Sequence, residues 1–198
     1  MGQMIIKDGE GSGRNAKVDS VGRIHTHSVS ETIGQDASKD GRSYNVNTGT
    51  ITLTSATASG LLFIENTGDT PIHISTVGFL IGNSTGGTGD LTLNITKNIT
   101  GGTLESAATA PEIIANKNAG SNLSLDAYVY AGVEGSTVTG GTAFYTSLLA
   151  GAARPYIIST GDIVLPRGSN IAVSVTPQTS NTSMNIQVFL AINEYNLT

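Results

Sequence analysis

From residue 50 onward the chain is written in twos. Ile51 and Leu53 alternate with Thr50, Thr52 and Thr54, Ile72 and Ile74 with His73 and Ser75, and Leu91, Leu93 and Ile95 with Thr92, Asn94 and Thr96. Near the end, Ile171, Val173 and Val175 alternate with Ala172, Ser174 and Thr176. Met184, Ile186, Val188, Leu190 and Ile192 then form one apolar face, with Asn185, Gln187 and Asn193 opposite. A period of two is the mark of a strand with one face in a core. Leu61-Leu62-Phe63-Ile64 is a continuous apolar run and predicts a strand covered on both faces. Leu123, Leu125, Ala127 and Val129 share one face of another strand, with Ser124, Asp126, Tyr128 and Tyr130 on the other. Asn66-Thr67-Gly68-Asp69-Thr70-Pro71 and Pro166-Arg167-Gly168-Ser169 read as turns between such runs. About eight short strands divided by turns predict an all-β fold, a sandwich or a barrel.

The first 45 residues are different material. They hold 12 of the 25 charged side chains, six acidic and six basic, and only one of the ten aromatics, Tyr44. So charged a segment with so little core material reads as an extended N-terminal arm, residues 1–45, ahead of a β body, residues 46–198. Its short apolar pieces, Met4-Ile5-Ile6, Val18, Ile24 and Val29, are of the kind that add to a neighbour's sheet edge. Ile5, Ile6, Val18, Ile24 and Val29 are therefore candidate contact residues, each with the plainer alternative of a floppy tail or one packed on its own body.

Composition explains what the body lacks. Only 13% of the chain is charged, about half the roughly 25% of an ordinary domain. The outward strand positions are Thr, Ser and Asn, drawn from 26 Thr, 20 Ser and 15 Asn. Sheet edges are normally guarded by charge, so faces and edges this poor in charge are expected to be covered by other copies or by a larger surface. Simple hydration of the Thr-rich faces is the competing expectation.

Candidate chemistry is sparse. With no Cys there is no disulfide framework, thiolate nucleophile or Cys-ligated zinc. Ten Lys and Arg against 15 Asp and Glu argue against a nucleic-acid partner. No apolar run approaches the roughly 18 residues of a membrane helix, and the start lacks the apolar stretch of a signal peptide. His25 and His27 would share a strand face, but no third metal ligand stands near them. His73 alternates out of the core and is expected to be solvated or at an interface. Asp126 and Glu194 are the strand carboxylates, yet their spacing selects no acid–base pair. Ser84-Thr85-Gly86-Gly87-Thr88-Gly89 lacks the Lys of a phosphate loop and reads as a surface loop. Asp8-Gly9-Glu10-Gly11 offers too few oxygens for calcium. No catalytic residue, metal or other cofactor is expected. Tyr128 and Tyr130, on one strand face, suit an interface anchor, or alternatively a sugar platform.

Two stretches carry a family resemblance. Ile5-Ile6-Lys7-Asp8-Gly9-Glu10-Gly11-Ser12-Gly13-Arg14-Asn15-Ala16-Lys17-Val18-Asp19, with Gly22-Arg23-Ile24-His25-Thr26-His27-Ser28-Val29, resembles the amino-terminal segment of tailed-bacteriophage virion structural proteins. Ile163 to Val175, then Met184 to Ile192, resembles the last strands of a viral jelly roll. The resemblance implies a capsid decoration (cement) protein: an all-β, jelly-roll-like antiparallel β-sandwich preceded by an extended N-terminal arm. Its implied partners are the major capsid protein and further copies of itself, as a homotrimer, with neither nucleic acid nor membrane. It implies a protein without enzymatic activity, made in the host cytoplasm and placed on the outer capsid surface, where it bridges and stabilises capsid subunits. A tail, fibre or baseplate component of a phage virion, with glycan binding through the two tyrosines, is the alternative. No functional residue of that family transfers individually.

Overall fold

A computed structural model describes residues 17–18, 24–25, 32–105, 111, 113–150, 154–158, 163–180 and 183–195. The chain divides into two units, Met1–Thr32 and Ile33–Thr198. In the first, β1 (Lys17–Val18) pairs antiparallel with β2 (Ile24–His25), setting Val18 opposite Ile24.

The second unit opens with a short helix, α1 (Ile33–Lys39). It continues through β3 (Ser43–Asn47), β4 (Ile51–Leu53), β5 (Ser59–Asn66), β6 (Ile72–Thr85), β7 (Leu91–Lys97) and β8 (Ile113–Asn116). Then come β9 (Ala127–Ala131), β10 (Thr142–Leu149), β11 (Arg154–Ile158), β12 (Ile163–Leu165), β13 (Asn170–Pro177) and β14 (Ser183–Glu194). The charge distribution places the end of the arm at residue 45, whereas α1 and β3 belong to the second unit. Tyr44 and Val46 alternate into the core, 2% and 0% exposed. The charges that mark this stretch as arm, Asp36, Lys39, Asp40 and Arg42, lie exposed on α1 and the turn after it.

The strand pairing follows one rule. β3 pairs with β14, β5 with β13, β6 with β11 and β12, and β7 with β10, all antiparallel. The first half of the body is thus laid against the second half in reverse order, as one long hairpin. Additional pairing of β14 with β6 and of β13 with β7 wraps that hairpin into two sheets. Their orders are β10-β7-β13-β5-β9 and β11-β6-β14-β3-β8, with β12 extending along β6 and β4 along β14. This is jelly-roll connectivity in an all-β sandwich. The segment between β7 and β10 contributes β8 and β9, one added edge strand to each sheet.

The core lies between the sheets. Leu62, Ile64, Leu93, Ile95 and Val173 of the smaller sheet meet Ile74, Phe79, Ile186, Val188 and Leu190 of the larger one. At roughly 1.5–3 kcal/mol for each fully buried aliphatic or aromatic side chain, this layer is the main source of stability. β5 is covered on its outer face too, as its unbroken apolar run requires. There Phe63 and Ala172 pack under Ile99, Leu104 and Val138, side chains of a flap whose two segments meet at Gly101 and Thr139.

Loop ends are fixed by polar groups. The Glu134 carboxylate accepts the Thr54 and Ser55 backbone N–H groups, each at 2.6 Å, and both hydroxyls, at 2.8 and 3.0 Å. The Ser55 N–H, then that of Thr54, hold its pKa down at about 2, from 4.5. A carboxyl depressed on folding stabilises fully above its unfolded pKa and loses that contribution as pH falls through the folded value. For Glu134 the window runs from 4.5 down to about 2. Because this carboxylate is close to solvent, Glu134→Gln is expected to cost only about 1 kcal/mol at pH 7 after screening. Urea denaturation of both proteins across pH 2–7 should show the gap closing as the acid is neutralised, and a pH-independent gap would refute the assignment.

Candidate functional site

Of the residues singled out in the sequence, Ile5, Ile6, His27 and Val29 lie outside the described residues, as do Asp8 and Glu10. Val18 and Ile24 are register partners in the β1–β2 pair, as are Lys17 and His25.

Asp126 and Glu194, 68 residues apart, come together. Glu194 ends β14, and its Oε1 accepts the Asp126 backbone N–H at 3.3 Å. With Arg42, Tyr44 and Thr70 they line a pocket of about 110 Å³. Burial pushes the Glu194 pKa up, and the charge of Asp126 adds to this. The Asp126 N–H, the Tyr44 hydroxyl and Arg42 work the other way. Tyr44 is pushed up to about 12, first by burial and then by Glu194; its hydroxyl donates to Ser124 O at 3.2 Å. Chemically, this arrangement is a carboxyl that holds its proton more readily than a solvated one, tied at one oxygen to backbone. Among the described residues no group of three His, Asp or Glu converges as a metal site. What the cluster visibly does is fasten the end of β14 to the loop leading into β9.

His73 departs from expectation. The alternation does turn it out of the core, but it is only 2% exposed. The Tyr195 ring lies over it, centroids 3.8 Å apart and planes within 13°, and its Nδ1 has no hydrogen-bond partner. A residue beyond the end of β14, which periodicity could not place, supplies the cover.

Tyr128 and Tyr130 do project outward together, on β9. Tyr130 stands beside Phe63 of β5, ring centroids 5.8 Å apart and planes at 11°. Tyr128 continues the series at 6.3 Å and 11°. The three rings form a ladder that runs from fully buried Phe63 to Tyr128, which is 56% exposed. Phe63 is the member the sequence did not identify. Its partnership with Tyr130 depends on β5 and β9 being neighbours, which no local pattern encodes.

The remaining exposed surface has an unusual chemistry. The edge strands β8 (IIAN), β9 (AYVYA) and β10 (TAFYTSLL) contain no charged residue, and β11 with β12 contain one, Arg154. On the outer face of the larger sheet, Leu80, Ile157 and Val164 are 42%, 69% and 45% exposed. Leu80 and Ile157 sit on paired strands, next to Phe189, whose ring crosses Gly78 so closely that a Cβ there would meet it at 1.9 Å. No protein-family model matches the chain, and no curated protein matches it significantly.

Proposed function

We propose that this chain is a virion structural protein: a capsid decoration protein that binds the outer surface of a phage head as a homotrimer and bridges major capsid subunits. The observation that carries this reading is the charge-free state of the sheet edges. Unpaired N–H and C=O groups on an edge recruit other strands unless charge or a bulge prevents it. Here β8, β9 and β10 have no charge at all, β8 and β9 each pair with their neighbour without a bulge, and aliphatic side chains stand exposed on β11 and β6 at the other end of the larger sheet. Exposed apolar surface of this kind marks association. The function is mechanical: each copy adds buried area across a joint between capsid subunits, typically about 1,200–2,000 Å² for a stable contact. Attachment through three copies at once raises the effective concentration of each contact.

Light scattering on the full chain should give a trimer. A truncation that begins at Ile33 keeps the whole second unit, α1 and β3 included. It should still fold, yet no longer sediment with undecorated heads of the phage that encodes it. A monomeric full chain removes the trimer from the proposal. Unchanged decoration by the truncated chain removes the arm from it.

A further inference from the structure

We propose that the ring ladder of Phe63, Tyr130 and Tyr128 is a carbohydrate-binding platform that takes a neutral oligosaccharide. It goes beyond the assembly role, needs no capsid, and stands or fails separately from it.

The platform is built in advance. Phe63 is held in the apolar pocket under Ile99 and Leu104, and Tyr130 packs partly against the same cluster. With one ring fixed and the next stacked on it, the exposed Tyr128 ring has a defined orientation at little further entropic cost, the condition under which a small contact area yields measurable affinity. Tyr suits such a task because its ring is apolar while its hydroxyl stays wet. Sugar rings present flat C–H faces that pack on an aromatic ring and a rim of hydroxyls that need polar partners.

One such partner is present. Glu65 stands opposite Tyr128 in the β5–β9 register, whereas Asp126, in the loop before β9, borders the pocket with Tyr44 and Glu194. A carboxylate accepts from two adjacent hydroxyls at once. Glu65 also selects by charge, since it would repel an anionic glycan.

Two other occupants fit less well. A quaternary ammonium needs rings arranged around it as a cage, and rings whose planes lie within 11° of each other cannot enclose a cation. A protein partner is better served by the aliphatic surface of Leu80, Ile157 and Val164 on the other sheet. The outward positions of β5 and β9 beside the ladder carry Glu65 rather than aliphatic side chains.

The full chain should be tested on an array of neutral glucose, galactose and mannose hexasaccharides with sialyl-lactose as the anionic comparison. Hits are then titrated by intrinsic tyrosine fluorescence, which is free of Trp background. At least one neutral hexasaccharide should bind at millimolar concentration or better, and sialyl-lactose should not. By analogy with stacking on aromatic platforms elsewhere, Tyr128→Ala should weaken binding about tenfold, whereas Tyr128→Phe should stay within about threefold. Tyr128 is exposed, so both variants keep the fold, which circular dichroism checks. The proposal is overturned if no neutral hexasaccharide binds at millimolar concentration, or if Tyr128→Ala binds as the parent does. It is equally overturned if Tyr128→Ala alters the oligomeric state while no sugar binds, which makes the ladder a contact between copies.

Discussion

Phe63→Ala is expected to lower the stability of the body by about 3–5 kcal/mol, the upper range for emptying a buried aromatic site. The size follows from what surrounds the ring. Phe63 is 1% exposed on the outer face of β5, where Ala172 lies beside it and Ile99 and Leu104 close over it. A flap free to settle would fill part of the cavity and reduce the loss, but this one is fixed by backbone. Thr100 N donates to Thr139 O and Leu104 N to Thr137 O, both at 3.1 Å. Asn170 clamps Ile99 from below, accepting its N–H at 2.8 Å and donating to its carbonyl at 3.3 Å. The backbone already lies as close as it can: a Cβ on Gly132 would fall 1.9 Å from the Gly60 carbonyl oxygen. Urea denaturation should show a lower midpoint at unchanged slope. Hydrogen exchange should show the largest loss of protection at Thr100 and Leu104. A loss below about 1 kcal/mol would mean that the flap collapses and that its rigidity is overstated.

Much of this fold could be read from the residues, because the strands that build the inter-sheet core obey a period of two. In β14 the burial alternates almost without interruption from Met184 to Ile192. β7 and β13 behave alike on the inward side, and the unbroken run of β5 correctly signalled two covered faces. The edge strands were not legible. β10 is mostly exposed and carries an irregularity between Ala143 and Tyr145 that breaks its alternation. The apolar residues of β8, Ile113, Ile114 and Ala115, are all exposed, so nothing selects them for one side. α1 is too short for a helical period to emerge, and its surface charges resembled those of the arm. The boundary at residue 45 rested on average charge, whereas the alternation of Tyr44 and Val46 was the better guide.

The candidate sites split in the same way. Tyr128 and Tyr130 lie two apart on one strand, so their shared face was visible locally. Phe63 under Tyr130, Tyr195 over His73 and Glu194 beside Asp126 are all contacts between distant segments. Each becomes visible only once the hairpin is wrapped into two sheets. Charge scarcity was legible as a number, and the structure adds its location: the strands at the sheet edges.

Asn66→Asp changes one atom and is expected to cost about 3–5 kcal/mol at pH 7, the range for a buried charge left uncompensated. Asn66 ends β5, is 0% exposed, and uses its whole side chain. Nδ2 donates to Thr70 O at 2.9 Å and to Leu165 O at 2.8 Å, while Oδ1 accepts the Gly68 N–H at 2.9 Å. Its backbone adds two bonds, donating to Ser169 O at 3.1 Å and accepting Gly168 N–H at 2.7 Å. One residue thus joins the β5–β6 turn to the β12–β13 turn. In the aspartate, one oxygen can still accept from Gly68, but the other faces two carbonyl oxygens with no proton to offer. Asn66→Ala removes the repulsion and leaves the same carbonyls unpaired, and should cost about 1–3 kcal/mol. Acid separates the two variants. A protonated carboxyl can donate to one of the carbonyls, so the Asp variant should regain stability relative to the parent between pH 7 and pH 4, and the Ala variant should not. Comparison with the parent at each pH cancels the acid loss through Glu134, which all three proteins share. If the Asp variant matches the parent at pH 7, the two turns are not joined through Nδ2.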